Sequence, residues 1–172
     1  MDTLEYYALW LLPEADTSQQ LTEFITDLSD RFGRPKFQPH ITLCGRVAGE
    51  KNKLMEATAS LAHKLTPFQV KHNGLKGESY YFKCFYMSIA NSADLVRTRQ
   101  LTSETFSSRL GSNFHPHLSL LYGSPIRKHR TELIAEFEKK IPKQFIVNQL
   151  QLIRLHVAVA DWEIVTTCKF GK

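Results

Sequence analysis

The feature that most constrains this chain is an internal repeat at a fixed offset of 77 residues. An internal duplication usually gives two similar lobes packed about an approximate two-fold axis, with equivalent elements facing each other across the join. The matched positions are Pro39-His40 with Pro116-His117, Phe68 with Phe145, Val70 with Val147, and Leu75 with Leu152. The repeats span roughly residues 5–75 and 79–157.

Hydrophobic periodicity and turn residues predict the same order of elements in both repeats, namely strand, helix, strand, helix, strand. The expected strands are 5–12, 36–46, 67–75, 79–89, 114–122 and 145–157, the expected helices are 16–32, 51–64, 94–110 and 127–141, and a last strand covers 161–170. We therefore predict an α+β fold, with residues 1–172 forming a single two-lobed domain. Two antiparallel sheets should flank a central cleft, with the helices on the outside.

Composition places the chain among globular proteins. Of its 172 residues, 42% are hydrophobic and 23% are charged, which excludes a disordered chain and a disulfide-dense scaffold. No apolar run approaches the roughly 20 residues that span a bilayer, and the N-terminus lacks the order of a signal peptide. We expect a cytoplasmic monomer with no membrane partner. The net charge of +5 is compatible with an anionic substrate or with RNA ends.

Both repeats carry the pattern histidine, apolar residue, hydroxyl residue, leucine, beginning at His40 and at His117. Because side chains alternate along a strand, His40 and Thr42 should share a face, about 7 Å apart at the backbone, and so should His117 and Ser119. Two such strands facing each other would place two imidazoles and two hydroxyls around one point.

A histidine followed two places later by serine or threonine is a weak signal alone. A third instance, His129-Arg130-Thr131, lies at the polar start of a predicted helix, where alternation has no meaning. The other two differ because they share a Pro-His-apolar-hydroxyl-Leu context and matching places in the repeat.

This arrangement suits hydrolysis of a phosphodiester. One imidazole can take a proton from water while the other gives a proton to the leaving oxygen, and which histidine does which stays open. Thr42 and Ser119 can each donate a hydrogen bond to a non-bridging oxygen as charge builds there. No carboxylate cluster lies nearby to hold magnesium, so the sequence predicts metal-independent acid–base catalysis.

Nothing in the sequence predicts a cofactor or a metal site. His115 and His117 would share a strand face, but zinc needs three or four ligands and no further ligand is suitably spaced. We expect His115 to be a rim residue. Cys44, Cys84 and Cys168 form no C-x-x-C pair, and each lies in an apolar stretch that predicts a buried thiol.

The sequence resembles the two-histidine (2H) phosphoesterase superfamily, which is defined by two His-x-Ser/Thr motifs on duplicated lobes. Within it, the chain is similar to the plant-type cyclic phosphodiesterases that act on ADP-ribose 1″,2″-cyclic phosphate. The resemblance covers most of the chain and is carried by residues 7–13, 39–42 and 116–122 and by Trp162 near the end.

The resemblance implies that the substrate is ADP-ribose 1″,2″-cyclic phosphate, a by-product of tRNA splicing, and that the product is ADP-ribose 1″-phosphate. It also implies activity on nucleoside 2′,3′-cyclic phosphates. Phe82 and Tyr122 match aromatic positions that flank the family's cleft, where they would stack on the substrate or bound it.

Two other functions stay open. One is an RNA-end enzyme that opens 2′,3′-cyclic phosphates or acts on 2′–5′ linkages, although the sequence has no extended basic stripe. The other is a non-catalytic module that holds a phosphate or an RNA end. The aromatic residues at 80–86 predict core and cross-strand packing rather than a stacking platform. The basic residues Lys36, Arg46, Lys83 and Arg127 add positive potential, mostly from the solvated surface.

Overall fold

The computed structural model describes residues 5–106 and 113–171, which form seven β-strands, four α-helices and two short 3-10 helices. In chain order these are β1 (Tyr6–Pro13), α1 (Ala15–Phe32), β2 (Ile41–Ala48), α2 (Lys51–His63), β3 (Phe68–Lys76), a 3-10 helix (Tyr81–Lys83), β4 (Phe85–Ile89), α3 (Ala93–Thr105), β5 (His117–Leu121), α4 (Arg130–Phe137), β6 (Gln144–Arg154), a 3-10 helix (Val159–Asp161) and β7 (Glu163–Lys169). The predicted α+β class and the antiparallel pairing are confirmed.

The seven strands belong to one sheet, in the order β1-β2-β5-β4-β3-β6-β7, and β1 also pairs with β6. The expectation of two separate sheets therefore differs from the structure. The joining element is β6, an 11-residue strand. Its first residues pair with β3, its later residues pair with β7, and β1 lies along most of its length.

The third strand of each repeat pairs with the other repeat. Strand β3 pairs with β4 and β6, while β6 pairs with β1. Exchanging the repeats leaves this set of pairings unchanged, apart from β7. Two cross-strand pairs, Ile41 with Leu118 and Gln69 with Ile146, join positions that are themselves 77 residues apart. These two pairs mark the approximate two-fold axis.

Several element boundaries differ from those expected. Strands β2 and β5 begin after Pro39 and Pro116, because proline has no N–H to donate to a strand ladder. His40 therefore lies one residue before β2 rather than within it. The expected strand at 79–89 is a 3-10 helix followed by the shorter β4. The backbone here does not pair as a strand, since the Tyr81 carbonyl accepts a hydrogen bond from the Gly123 N–H. The expected end of α3 near residue 110 lies outside the described residues.

Strand β1 is buried on both faces, one of which packs in the main core while the other faces the cleft side. One face carries Leu9 and Leu11, which belong to the main core together with the inward stripe of α1. The other face carries Trp10 and Leu12, which form a second, smaller apolar cluster. Alternation along β1 thus places an indole on the face opposite the core.

Cys44 and Cys84 are buried, but Cys168 on β7 is only half-buried, which differs from the expectation. Within residues 5–106 and 113–171, no helix combines the length and the apolar character needed to cross a bilayer.

Candidate active site

A single cleft of about 260 Å³ brings together all six of the residues predicted to form the site. They are His40, Thr42, Phe82, His117, Ser119 and Tyr122. The cleft lies where β2 meets β5, close to the two-fold axis, so the two motifs face each other as the repeat predicts.

The two histidines are held in the same way. Nδ1 of His40 donates to the carbonyl oxygen of Gln38 at 2.7 Å, and Nδ1 of His117 donates to the carbonyl oxygen of His115 at 3.0 Å. A carbonyl can only accept, so the proton of each neutral ring is on Nδ1. Nε2 is therefore the atom of each ring that can take up or release a proton.

A proline explains why this geometry recurs. Pro39 and Pro116 each lie between a histidine and the carbonyl that it binds. Proline fixes its own φ and restricts the residue before it to extended conformations. The Pro-His pair thus presets the carbonyl that orients each imidazole.

The surroundings of His40 are aromatic. Its ring is 6% exposed and stacks on Trp10, with 3.6 Å between ring centroids and 6° between planes. The ring of Phe37 packs at an angle to it, 6.4 Å away. Burial lowers the pKa of His40 to about 3, only partly opposed by the bond to the Gln38 carbonyl. His40 is therefore neutral at physiological pH.

The surroundings of His117 are more polar. Tyr86 meets its half-buried ring edge-on, with centroids 5.5 Å apart. Burial lowers the pKa of His117, the bond to the His115 carbonyl raises it, and Lys83 and Glu78 act in opposite directions. The aromatic neighbours correspond in the sheet, since Trp10 pairs with Thr42 and Tyr86 pairs with Ser119.

The two hydroxyls are engaged differently. Ser119 Oγ donates to the Phe82 carbonyl at 2.6 Å, so its proton is already bound. Thr42 is half-buried, and its hydroxyl has no hydrogen-bond partner in the part of the chain that the structure describes. Of the two motif hydroxyls, that of Thr42 is therefore the one with a proton available to a ligand without rearrangement.

The two predicted aromatic residues differ in access. Tyr122 is 2% exposed because Phe37 stacks on it at 3.7 Å and Phe82 meets it edge-on at 5.1 Å. Phe82 is 37% exposed. Tyr122 therefore forms a wall of the cleft, whereas Phe82 presents ring surface to a ligand.

Seven lining residues were not among the predicted site residues, and Trp10, Trp162 and Lys83 are three of them. Alternation with Leu9 and Leu11 along β1 was a usable signal for Trp10. The family resemblance includes Trp162 but assigns it no place in the cleft. Trp162 follows a 3-10 helix that the sequence does not predict, and its indole N–H donates to the His156 carbonyl at 2.9 Å.

The predicted rim residue does not line the cleft with its side chain. The imidazole of His115 is exposed, and its backbone carbonyl is the part that contacts His117. Among the described residues, no group of three or more His, Cys, Asp or Glu side chains is placed to hold a metal ion.

Comparison with known proteins finds a family model and two relatives that all carry the name of a cyclic phosphodiesterase. The family model described as "Cyclic phosphodiesterase-like protein" matches residues 6–170. A cyclic phosphodiesterase of Arabidopsis thaliana is 21% identical over 97% of this chain and 96% of its own length. A 2′,3′-cyclic-nucleotide 3′-phosphodiesterase of Kluyveromyces lactis is 27% identical over 67% of this chain and 63% of its own length.

Solved structures share the fold. The crystal structure of E. coli LigT complexed with NADP+ has a TM-score of 0.63 at 15% identity, and that of LigT complexed with 3′-AMP has a TM-score of 0.60 at 13% identity. Both matches cover 99% of this chain and 100% of the other.

Proposed function

Because the chain belongs to the cyclic phosphodiesterase-like protein family, we propose that it hydrolyses cyclic phosphodiesters of small nucleotides, with His40 and His117 as its acid–base pair. The observation that carries this proposal is the matched pair of imidazoles. Each is held through Nδ1 by the carbonyl two residues before it, and both line one cleft. A structural histidine would not need this arrangement twice in one cleft.

The reaction adds water across one phosphorus–oxygen bond. Nε2 of one histidine accepts a proton from the attacking water, whose oxygen forms the new bond to phosphorus. The bond to one ribose oxygen breaks, and that oxygen receives a proton from Nε2 of the other, protonated histidine. The product is a phosphomonoester with a free ribose hydroxyl.

The hydroxyls stabilise the charge on the phosphate. Thr42 donates to a non-bridging oxygen directly, which favours the transition state as charge accumulates there. Ser119 donates to a second oxygen only after its hydroxyl group breaks the hydrogen bond to the Phe82 carbonyl and turns toward the phosphate. Substrate binding should therefore loosen the contact between Ser119 and Phe82.

We propose ADP-ribose 1″,2″-cyclic phosphate as the main substrate, opened to ADP-ribose 1″-phosphate, with nucleoside 2′,3′-cyclic phosphates as further substrates. The exposed ring of Phe82 and the walls formed by Trp10 and Tyr122 suit a nucleotide. The names of the Arabidopsis and yeast relatives, and the nucleotides bound to LigT, support the same class.

The test is to compare turnover of ADP-ribose 1″,2″-cyclic phosphate, adenosine 2′,3′-cyclic phosphate and an RNA oligomer with a 2′,3′-cyclic end, each with excess chelator. We expect the small nucleotides to be opened fastest and the chelator to have no effect. Preference for the oligomer would indicate an RNA-end enzyme. Binding without turnover would indicate a non-catalytic module, and dependence on added metal would overturn the mechanism.

We also infer that residues 1–172 are one two-lobed domain that arose by internal duplication. The pairings that survive exchange of the repeats support this, as does the 77-residue spacing of the pairs on the axis.

A further inference from the structure

Lys83 is the one charged side chain among the described residues that line the cleft. Its side chain is 19% exposed, so most of the stem is packed against neighbouring atoms. It follows Phe82 on the 3-10 helix Tyr81–Lys83, which therefore presents an open aromatic ring and a cation side by side.

The 3-10 helix is fastened by its backbone to the rest of the second repeat. The Tyr81 carbonyl accepts from the Gly123 N–H at 2.8 Å, and the Phe82 carbonyl accepts from Ser119. The Lys83 carbonyl accepts from the Glu78 N–H at 2.9 Å. These bonds fix the position of Lys83 relative to the histidine motif at His117.

The ammonium is held at the edge of the cleft. Lys83 Nζ lies 3.2 and 3.3 Å from the two carboxylate oxygens of Glu78, which also accepts a hydrogen bond from the Tyr86 hydroxyl. Glu78 is not among the residues that line the cleft. Since an ammonium has three N–H donors, one remains for a ligand.

The other repeat places no charge at the corresponding point. Lys83 Nζ lies 5.1 Å from the ring centroid of Tyr86, beside His117. Trp10 takes the place of Tyr86 in the first repeat, where it stacks on His40. Among the described residues that line the cleft, the cationic side chain therefore lies on the His117 side.

We propose that Lys83 binds the phosphate group of the nucleotide in this cleft through its ammonium, with Glu78 holding it in position. The inference rests on the proposed function, because it assigns a residue to the same site. Lys83 favours the phosphomonoester product over the cyclic diester, since the product carries the larger negative charge. Its mutation should therefore affect binding of the monophosphate most.

A second role for Lys83 must be separated from this one. Lys83 also neutralises Glu78, and removing it alone would leave an unpaired carboxylate near the cleft, which repels phosphate by itself. The double variant Lys83→Met with Glu78→Gln removes both charges and leaves the net charge unchanged. Glu78→Gln alone releases the ammonium from its partner.

The chain has two tryptophans, Trp10 and Trp162, and both line the cleft. Intrinsic fluorescence therefore reports binding independently of turnover. We would titrate adenosine 2′- and 3′-monophosphates and adenosine into the wild-type protein and the variants. Lys36→Met is the matched control, because Lys36 is exposed, pairs with Asp30 at 2.8 Å and does not line the cleft.

We expect Lys83→Met to weaken binding of the monophosphates at least about tenfold and to leave adenosine unchanged, as for loss of a charge-assisted hydrogen bond. Lys83→Arg should retain binding, and Glu78→Gln should weaken it less than Lys83→Met does, because the ammonium remains. The double variant should stay as weak as Lys83→Met. Lys36→Met should match the wild type.

Wild-type affinity in the double variant would overturn the proposal, because Lys83 would then serve only to neutralise Glu78. Equal loss of adenosine and monophosphate binding would overturn it as well, since that would report a distorted cleft. If the wild-type protein binds no monophosphate, this inference fails, whereas the proposed function is decided separately by turnover of the cyclic phosphates. Where Lys83→Met does not fold, by circular dichroism, Lys83→Gln takes its place.

Discussion

At the scale of single residues, the two histidines are held alike and surrounded differently. His40 is stacked on Trp10 in aromatic surroundings, whereas His117 lies beside Tyr86 and within the electrostatic influence of Lys83 and Glu78. A difference of this kind allows two chemically identical groups to carry different protonation states in one cleft.

Replacing either histidine should abolish hydrolysis. We expect His40→Asn and His117→Asn each to lower kcat at least about 100-fold, the scale of losing a general acid or base. The measurement is initial-rate turnover of adenosine 2′,3′-cyclic phosphate. His115→Asn is the control, because it keeps the backbone carbonyl that holds His117 and changes only an exposed side chain. Near-normal rates in either cleft variant would contradict the mechanism.

His40 should make stability depend on pH. Its folded pKa of about 3 lies below the ordinary value of roughly 6.5, so between these values the unfolded chain binds a proton that the folded chain does not. The contribution of neutral His40 to the free energy of unfolding is full above pH 6.5. It is lost as the pH falls toward 3, by up to about 1.4 kcal/mol per pH unit.

Urea unfolding at pH 7 and pH 5 tests this dependence. The free energy of unfolding should fall less in His40→Asn than in the wild-type protein, by about 2 kcal/mol over this interval. The exposed residue His129 provides the control variant, His129→Asn, which should keep the wild-type dependence. Parallel pH profiles for the wild type and His40→Asn would contradict the burial of a neutral imidazole.

The two hydroxyls should separate stability from catalysis. Thr42→Val and Ser119→Ala should both lower kcat, because each removes a donor to the phosphate. Only Ser119→Ala should also destabilise the fold, by about 1 kcal/mol, since it breaks the bond to the Phe82 carbonyl. Urea unfolding and turnover of the same two variants give the comparison, and equal stability loss in both would count against it.

At the scale of elements, periodicity predicted most helices and strands, while the fine structure around the cleft depended on tertiary contacts. Proline at 39 and 116 could have marked the true starts of β2 and β5, because proline cannot donate to a ladder. The 3-10 helix Tyr81–Lys83 could not be found this way. Its aromatic residues suit a strand, and the bonds that divert its backbone come from Gly123 and Ser119, distant in sequence.

The same limit applies to the site residues. The repeat predicted that the two histidines and the two hydroxyls would come together, and they line one cleft. It gave no signal for Lys83, whose place in the cleft depends on that 3-10 helix.

Gly77 tests how firmly this segment is placed. A Cβ at this position would lie 2.7 Å from the Cys84 carbonyl oxygen and 3.1 Å from Arg130 Cδ. Gly77→Ala must therefore shift backbone and should destabilise the protein by about 1–3 kcal/mol. It should also raise KM, because Lys83 and Phe82 lie on the same segment.

Gly49→Ala is the control for this prediction, since the three atoms nearest its Cβ would all belong to the side chain of Leu54, the first at 3.3 Å. Urea unfolding and steady-state kinetics measure both variants. A Gly77→Ala protein with wild-type stability and KM would show that the segment tolerates displacement.

At the scale of the whole molecule, the two repeats are interlocked rather than adjacent. Strand β3 completes the pairing of the second repeat, and β6 completes that of the first. Neither repeat can separate without breaking the backbone hydrogen bonds of these strands.

Unfolding should therefore be a single cooperative transition. Urea curves followed by tryptophan fluorescence, which reports the cleft, and by far-ultraviolet circular dichroism, which reports all elements, should have coincident midpoints. Two resolved transitions would show that the repeats unfold separately and would contradict the interlocked pairing.

The interlocked pairing of β3 and β6 also affects how the surroundings of the two histidines can come to differ. If each repeat were a separate polypeptide, the pairing would describe a swapped homodimer, and its symmetric centre would necessarily hold two identical imidazole environments. Joining the copies in tandem removes that constraint, because Trp10 and Tyr86 are encoded separately and can change one at a time. Covalent linkage thus lets a symmetric scaffold hold two imidazoles in different surroundings.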